Sequence, residues 1–411
     1  MRVIRTVTLL AGVVLLVSGI GRELPGTEII SAFLEEEPYR IACDGCCDAL
    51  PDCCSSLRSR EGLCDRGNLL GLCDPFGDHR HCYPKEKRRS LADKHAPAGL
   101  MGDHVHHQGE WMVEYKYMNM YMQGNRQGTT DIPTAATFDI TINGATTNMH
   151  ATPLNMTMEM HMLHIMYGWS DDVTLYIMPM WSSLTMDHQR DTPFGPNPML
   201  SGTTFTTHNN GFDDMVLGAL WRIYEGCTDE LIVNLAFSVP TGDINRTTTV
   251  PLGTGMAVPY PYPMRIGSGT VDGRPAVTYK SYYDHGSLGI QYAADLTIGQ
   301  NSRDYAVGDE HRLNAWYTWL PCDNLALSYR VENLWRNNFD GADPMANQGF
   351  ISTNRPDMRG GHWVNFGYGG ALLVGKGHLF SFEAVHPVYQ NLEGIQLKSD
   401  WWFNASWSKA F

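Results

Sequence analysis

The chain has 411 residues, a formal net charge of −14, only 18% charged residues, 11% aromatics and 41 glycines. An acidic balance excludes nucleic acid as the partner, because phosphate binding needs a basic surface. Few charges with many aromatics and small turn residues suit an all-β chain better than a helical one.

Taken in chain order, Arg2 and Arg5 precede an apolar run from Val7 to Val17 that is closed by Ser18 and Gly19. This reads as a secretory signal over residues 1–20. The run is shorter than the roughly 20 residues of a membrane-spanning helix. Nothing downstream is a helical span, so any later entry into a membrane requires a closed barrel. Residues 21–95 read as a linker and a cysteine-rich periplasmic segment with Cys43, Cys46, Cys47, Cys53, Cys54, Cys64, Cys73 and Cys82. In an exported protein an even cysteine count points to disulfide bridges stapling a segment too small for a core of its own. A zinc or copper thiolate cluster is the alternative, and the pairing stays open. Such a segment is also a candidate dock for a periplasmic or other envelope protein.

From Glu110 the texture becomes alternating. Twelve strands are predicted, at roughly 110–123, 156–170, 173–187, 213–225, 230–241, 274–283, 287–299, 309–320, 324–338, 361–374, 378–390 and 398–411. Short links such as Asp171-Asp172 and Pro321–Asp323 alternate with long ones, including 391–397. Up-and-down membrane barrels show this asymmetry, with short periplasmic turns and longer extracellular loops. Residues 96–411 are therefore predicted to form an antiparallel up-and-down transmembrane β-barrel of about twelve strands in the bacterial outer membrane. Cys227 and Cys322 fall in short periplasmic turns, where they either pair, with each other or with the cysteine-rich segment, or stay free.

Strand faces agree with this. Trp111, Val113, Tyr115, Tyr117 and Tyr121 alternate with Met112, Glu114, Lys116, Met118, Met120 and Met122. Leu325, Leu327, Tyr329 and Val331 alternate with Ser328, Arg330 and Glu332. Side chains two apart share a face, so the aromatic set meets lipid and the other set meets the lumen. At the end of the chain Trp401, Phe403, Trp407 and Phe411 share one face, which resembles the terminal-strand signal of bacterial outer-membrane proteins.

Fifteen of the 21 methionines lie between Met101 and Met199, many on every second residue. Met118, Met120 and Met122 form one series. Met156, Met158, Met160, Met162, His164 and Met166 form the next, and Met178, Met180 and Met186 continue it. Thioether sulfur is a soft donor for Cu(I) or Ag(I), and equally a flexible filler of apolar gaps. His104, His106, His107, His161 and His188 accompany the methionines, and mixed Met/His sites suit copper. His161 and Glu159 break the apolar face and are expected above the membrane band. The triplet at His104, His106 and His107 reads equally well as a solvated loop. No GxSxG elbow, HExxH pair or phosphate-binding loop appears, so no enzyme is expected. His311 and His378 have no persuasive catalytic partner.

A resemblance now becomes visible. Ala96-Pro-Ala-Gly-Leu-Met-Gly-Asp-His104, Gly109-Glu-Trp-Met112, Met156-x-Met-x-Met-His-Met162, Met166-Tyr-Gly168, Thr174-Leu-Tyr-Ile-Met-Pro-Met180, Ser238-Val-Pro-Thr-Gly242 and Pro261-Tyr-Pro-Met-Arg-Ile-Gly-Ser-Gly-Thr270 are the residues that carry it. Together they resemble a bacterial family of outer-membrane barrels labelled as transporters or as "MetA-pathway of phenol degradation" proteins, in its Met/His-rich, copper-associated branch. The resemblance covers 96–411, and the cysteine-rich segment departs from it. It implies passage or sequestration of a small solute, with copper or silver ions favoured as cargo and no cofactor required. The alternatives are a channel for small hydrophobic or aromatic compounds, or a structural barrel whose cysteine-rich segment binds an envelope partner.

Overall fold

A computed structural model describes residues 91–142, 145–191, 202–226, 228–250, 257–283, 285–375 and 377–411. The signal, the cysteine-rich segment up to Cys82 and Cys227 lie outside the described residues. Among the described residues, no helix is long and apolar enough to cross a membrane.

Eleven strand elements form one antiparallel sheet in chain order, some of them interrupted. They are β1 (Trp111–Gly128), β2 (Ala151–Ser170), β3 (Val173–Met178 and Met180–Arg190), β4 (Thr204–Phe212 and Met215–Glu225), β5 (Asp229–Val239) and β6 (Val271–Gly273 and Ala276–Tyr283). Next come β7 (Gly286–Ile298), β8 (Glu310–Cys322), β9 (Leu325–Arg336), β10 (Gly361–Val374) and β11 (His378–Ala410). Met112 of β1 pairs with Met166 of β2 on one side and with Ala410 of β11 on the other, which closes the barrel. Closure removes the free sheet edges that lipid cannot satisfy.

β11 is two crossings in one element. Leu392 is the partner of both Gly361 and Gly128, and Gly394 adopts φ 73°. Asn404 Nδ2 donates to Glu383 Oε2 at 3.3 Å although the two are 21 residues apart, so the chain doubles back near Gly394. Counted this way the wall has the twelve crossings read from the sequence. β1 runs on to Gly128 and β2 begins at Ala151, each about five residues beyond expectation, and two further boundaries differ more. The predicted open connection at 391–397 is a tight reversal, and β4 begins at Thr204 rather than near 213. Both segments, Glu393-Gly394 and Thr204–Phe212, are polar or glycine-bearing, and tertiary pairing rather than alternation orders them.

The exterior is apolar. Trp111, Trp169, Trp221 and Trp319 are exposed near the short-turn rim, and Trp181 and Phe212, whose rings lie 5.0 Å apart, are exposed toward the other. Leu163, Leu175, Leu217 and Leu235 lie exposed on the same outward face. Such a surface is untenable in water and is that of a barrel embedded in lipid, with aromatic girdles at both interfaces.

The interior is filled rather than open. Residues 91–110 enter the lumen from the short-turn end. Leu91 and Ala92 pack on Leu320 and Ala326, and Ala96 and Leu100 pack on Trp316. The main chain of this plug answers cations of the wall. Lys116 Nζ donates to Leu100 O at 3.0 Å, and Lys280 Nζ donates to Lys94 O at 2.8 Å and Asp103 O at 3.0 Å. Gln291 Nε2 donates to Met101 O at 2.8 Å. Gly99, at the tip, lies against the side chains of Glu383, Arg330 and Asn404. The chain returns to the wall through Gly109 N to Gly168 O at 2.8 Å and Gly168 N to Glu110 O at 2.9 Å. At the long-loop end Tyr260, Met264 and Ile266 cover Met156, Leu184 and Met186, and Arg265 pairs with Asp343 at 2.7 Å.

Candidate functional site in the lumen

Register brings the methionines together. Across β1 and β2 the inward pairs are Met112↔Met166, Met118↔Met160, Met120↔Met158 and Met122↔Met156. Across β2 and β3 they are Met162↔Met180 and Met156↔Met186. Three clusters result, stacked along the wall. Met112 and Met166 sit with Leu220 and Ile232; Met162, Met178 and Met180 with Val216, Met118 and Met160; Met156 and Met186 with Leu184, Met122 and Met158. Inward parity follows from the period of two, and Pro179 interrupts β3 without losing it, since Met178 and Met180 are both buried. The wall thus presents neutral, soft donors in an otherwise apolar setting.

Between the Met118↔Met160 pair and the Met112↔Met166 pair, facing the plug, the chemistry changes to imidazole and carboxylate. His95 Nδ1 lies 3.1 Å from His104 Nδ1, and His104 Nδ1 lies 2.9 Å from Asp103 Oδ1. The His104 and His106 rings are 5.0 Å apart, and His106 Nδ1 is 3.3 Å from Glu110 Oε2. From the wall, His164 Nδ1 faces Glu114 Oε2 at 3.5 Å. His164 is 4% exposed and its Nε2 has no hydrogen-bond partner, nor has Nε2 of His104 or His106. Burial, and then the neighbouring His104, push the His95 pKa well below the ordinary histidine value. Burial also lowers His106, while the hydrogen bond from His106 is the first cause holding Glu110 down at about 2. Neutral imidazoles beside ionised carboxylates are the protonation state in which such groups bind metal.

The residues singled out in sequence are therefore divided. His104 and His106 are inside, contrary to the solvated-loop reading, because the plug carries them in. His107 is exposed at the rim, where its Nδ1 is 3.0 Å from Asp171 Oδ1. His161 faces outward, 2.6 Å from the Tyr115 hydroxyl at its Nδ1, and does not join the inward methionines; its odd position in β2 dictates this. His188 is buried but stacks on Phe205 beyond Met186. His311 lies 2.8 Å from the Tyr292 hydroxyl, and His378 accepts from Trp407 Nε1 at 3.1 Å. Cys322 is a free, exposed thiol next to Asn324, with no disulfide partner among the described residues. His95, Asp103 and Glu114 were not singled out as ligands. The signal was the pairing of a plug-borne His-x8-His with an inward Glu114 opposite His164.

No protein-family model matches the chain, and no curated protein matches it. Among solved structures, an outer membrane channel from Pseudomonas putida F1 is 12% identical, covers 75% of this chain and 97% of its own, and gives a TM-score of 0.48. The transport unit of the autotransporter AIDA-I from Escherichia coli is 9% identical over 79% of this chain and 96% of its own, with a TM-score of 0.41. A Pseudomonas aeruginosa FadL homologue is 10% identical over 74% and 89%, with a TM-score of 0.32. Strand pairing, closure and the lipid-facing exterior define the class on their own: a transmembrane β-barrel of the bacterial outer membrane, with an occupied lumen.

Proposed function

We propose that this barrel receives small solutes from outside the cell, and that its cargo is a soft metal ion, Cu(I) or Ag(I), held along the methionine wall. The observation that carries the reading is the run of inward thioether pairs from Met156 and Met186 to Met118 and Met160, with Met162 against Met180; Lys116 and the Glu114↔His164 pair then separate this run from Met112 and Met166. Successive inward residues on one strand stand about 6.7 Å apart, so an ion moves from one thioether set to the next in short steps. Thioethers are uncharged and bind each ion weakly, and weak, multiple sites allow both entry and exit. The plug closes the periplasmic half, so holding the ion precedes its release. Titration of the reconstituted full-length protein with Cu(I) under reducing conditions tests this. Replacing Met118, Met160, Met162, Met178 and Met180 by leucine keeps volume nearly constant and is expected to lower both the affinity and the number of ions bound. Unchanged affinity in that variant overturns the reading. An aromatic compound that binds wild type and variant alike, with no uptake of Cu(I) by either, establishes the hydrophobic-cargo alternative instead.

A further inference from the structure

The ends of the plug loop form a second site whose donors differ from the thioether wall. We propose that His95, Asp103 and His104 bind one divalent transition-metal ion of the kind that favours nitrogen and oxygen, with zinc as the type. This inference does not depend on the soft-metal reading.

Geometry is the first argument. Ligand atoms of the three residues all lie within 4.8 Å of one another. Zinc bonds of about 2.0–2.1 Å place the donors of a tetrahedral site about 3.3 Å apart. The separations of 3.1 Å and 2.9 Å are close to that edge. Hydrogen bonding is the second. A single proton on His104 Nδ1 cannot align with both His95 Nδ1 and Asp103 Oδ1, and two lone pairs 3.1 Å apart repel. A cation between the three atoms answers all of them. The outer contacts suit this role as well. Asp103 Oδ2 accepts from Ala96 N at 2.6 Å and lies 3.6 Å from Lys280 Nζ, which orients Oδ1 toward the histidines. Lys280 is itself matched by Glu230 at 3.3 Å.

Independent of the loop, His164 of the wall lines the same cavity, buried, with Nδ1 toward Glu114 and Nε2 unpartnered, and Glu114 lines it too. His164 stands on the wall beside this three-residue group as a further nitrogen facing the cavity. Two imidazoles and a carboxylate select Zn(II), Cu(II) or Ni(II) over Cu(I) and Ag(I). The bound ion joins the two ends of a loop whose tip is wedged against Arg330 and Glu383, and so staples the plug shut.

The test uses the full-length protein in detergent, titrated with Zn2+ and, in parallel, Co2+. One equivalent of Zn2+ is expected, and the Co2+ form should show the strong visible bands of a tetrahedral site without thiolate charge transfer. Zn2+ should slow tryptic cleavage after Lys94. The double variant His95→Gln, His104→Gln should bind at least about a hundredfold more weakly and lose the protection, while leucine at Met162, Met178 and Met180 leaves both intact. Three results overturn the proposal: no stoichiometric Zn2+, equal affinity in the double variant, or a wild-type Co2+ spectrum that is octahedral or dominated by thiolate charge transfer. The last requires no variant to fold.

Discussion

Gly168→Ala is the sharpest probe of the plug. Gly168 is an inward position of β2 at which the returning plug meets the wall. A Cβ there would press into the carbonyl oxygen of His107 and lie 2.7 Å from its carbonyl carbon, where ordinary contact begins at 3.4 Å. Both are main-chain atoms, so the segment must retreat by at least about 0.7 Å. The retreat breaks Gly109 N to Gly168 O and Gly168 N to Glu110 O, and strains His106 N to Thr174 Oγ1 at 2.8 Å. At about 1 kcal/mol for each of the two broken hydrogen bonds and part of that for the strained one, the plug base is destabilised by about 2–3 kcal/mol. Every 1.4 kcal/mol is tenfold, so the opened population rises about thirty- to a hundredfold. Tryptic cleavage after Lys94, followed by mass spectrometry on protein whose barrel still shifts on heating in gel electrophoresis, reads that population. A rate within about threefold of wild type refutes the argument that Gly168 lets the plug rejoin the wall.

Arg330→Met removes the guanidinium that bonds Glu383 through Nε at 2.8 Å and Nη2 at 3.0 Å and Glu332 through Nη1 at 3.0 Å. Two buried carboxylates lose their cation, at a cost of about 3–5 kcal/mol. Urea unfolding in liposomes should register this, and a change under about 1 kcal/mol contradicts the buried network. His161→Phe, by contrast, should leave Cu(I) titration unchanged, because His161 faces lipid and Tyr115; a loss of binding would place it in the site after all.

How much of this was legible depends on the period of the signal. Alternation at Trp111–Met122 or Leu325–Glu332 marks both a strand and its two faces, so strand parity alone placed Met118 or Met162 in the lumen and gave His161 its outward position. Registers of neighbouring strands followed from the short turns. The plug was not legible. Ala96–His104 has no period, and its contacts are remote: Lys280 reaches Lys94 across 186 positions and Gln291 reaches Met101 across 190. Nothing local says that His104 and His106 will be drawn into a barrel while His107 stays at its rim. Thr204–Phe212 was missed for a related reason, since its polar residues become a strand only through pairing with β3.

The hydrogen bonds from Lys116, Lys280 and Gln291 to plug carbonyls have a consequence for assembly. These side chains stand on β1, β6 and β7, at separate points of the wall, and two of them carry charge with almost no exposure. Without the plug, water would have to take over these hydrogen bonds, so seating the plug exchanges hydration of the ammonium groups for main-chain oxygens. Residues 94–103 therefore tie three separate strands of the wall to one stretch of main chain, through the carbonyl oxygens of Lys94, Leu100, Met101 and Asp103.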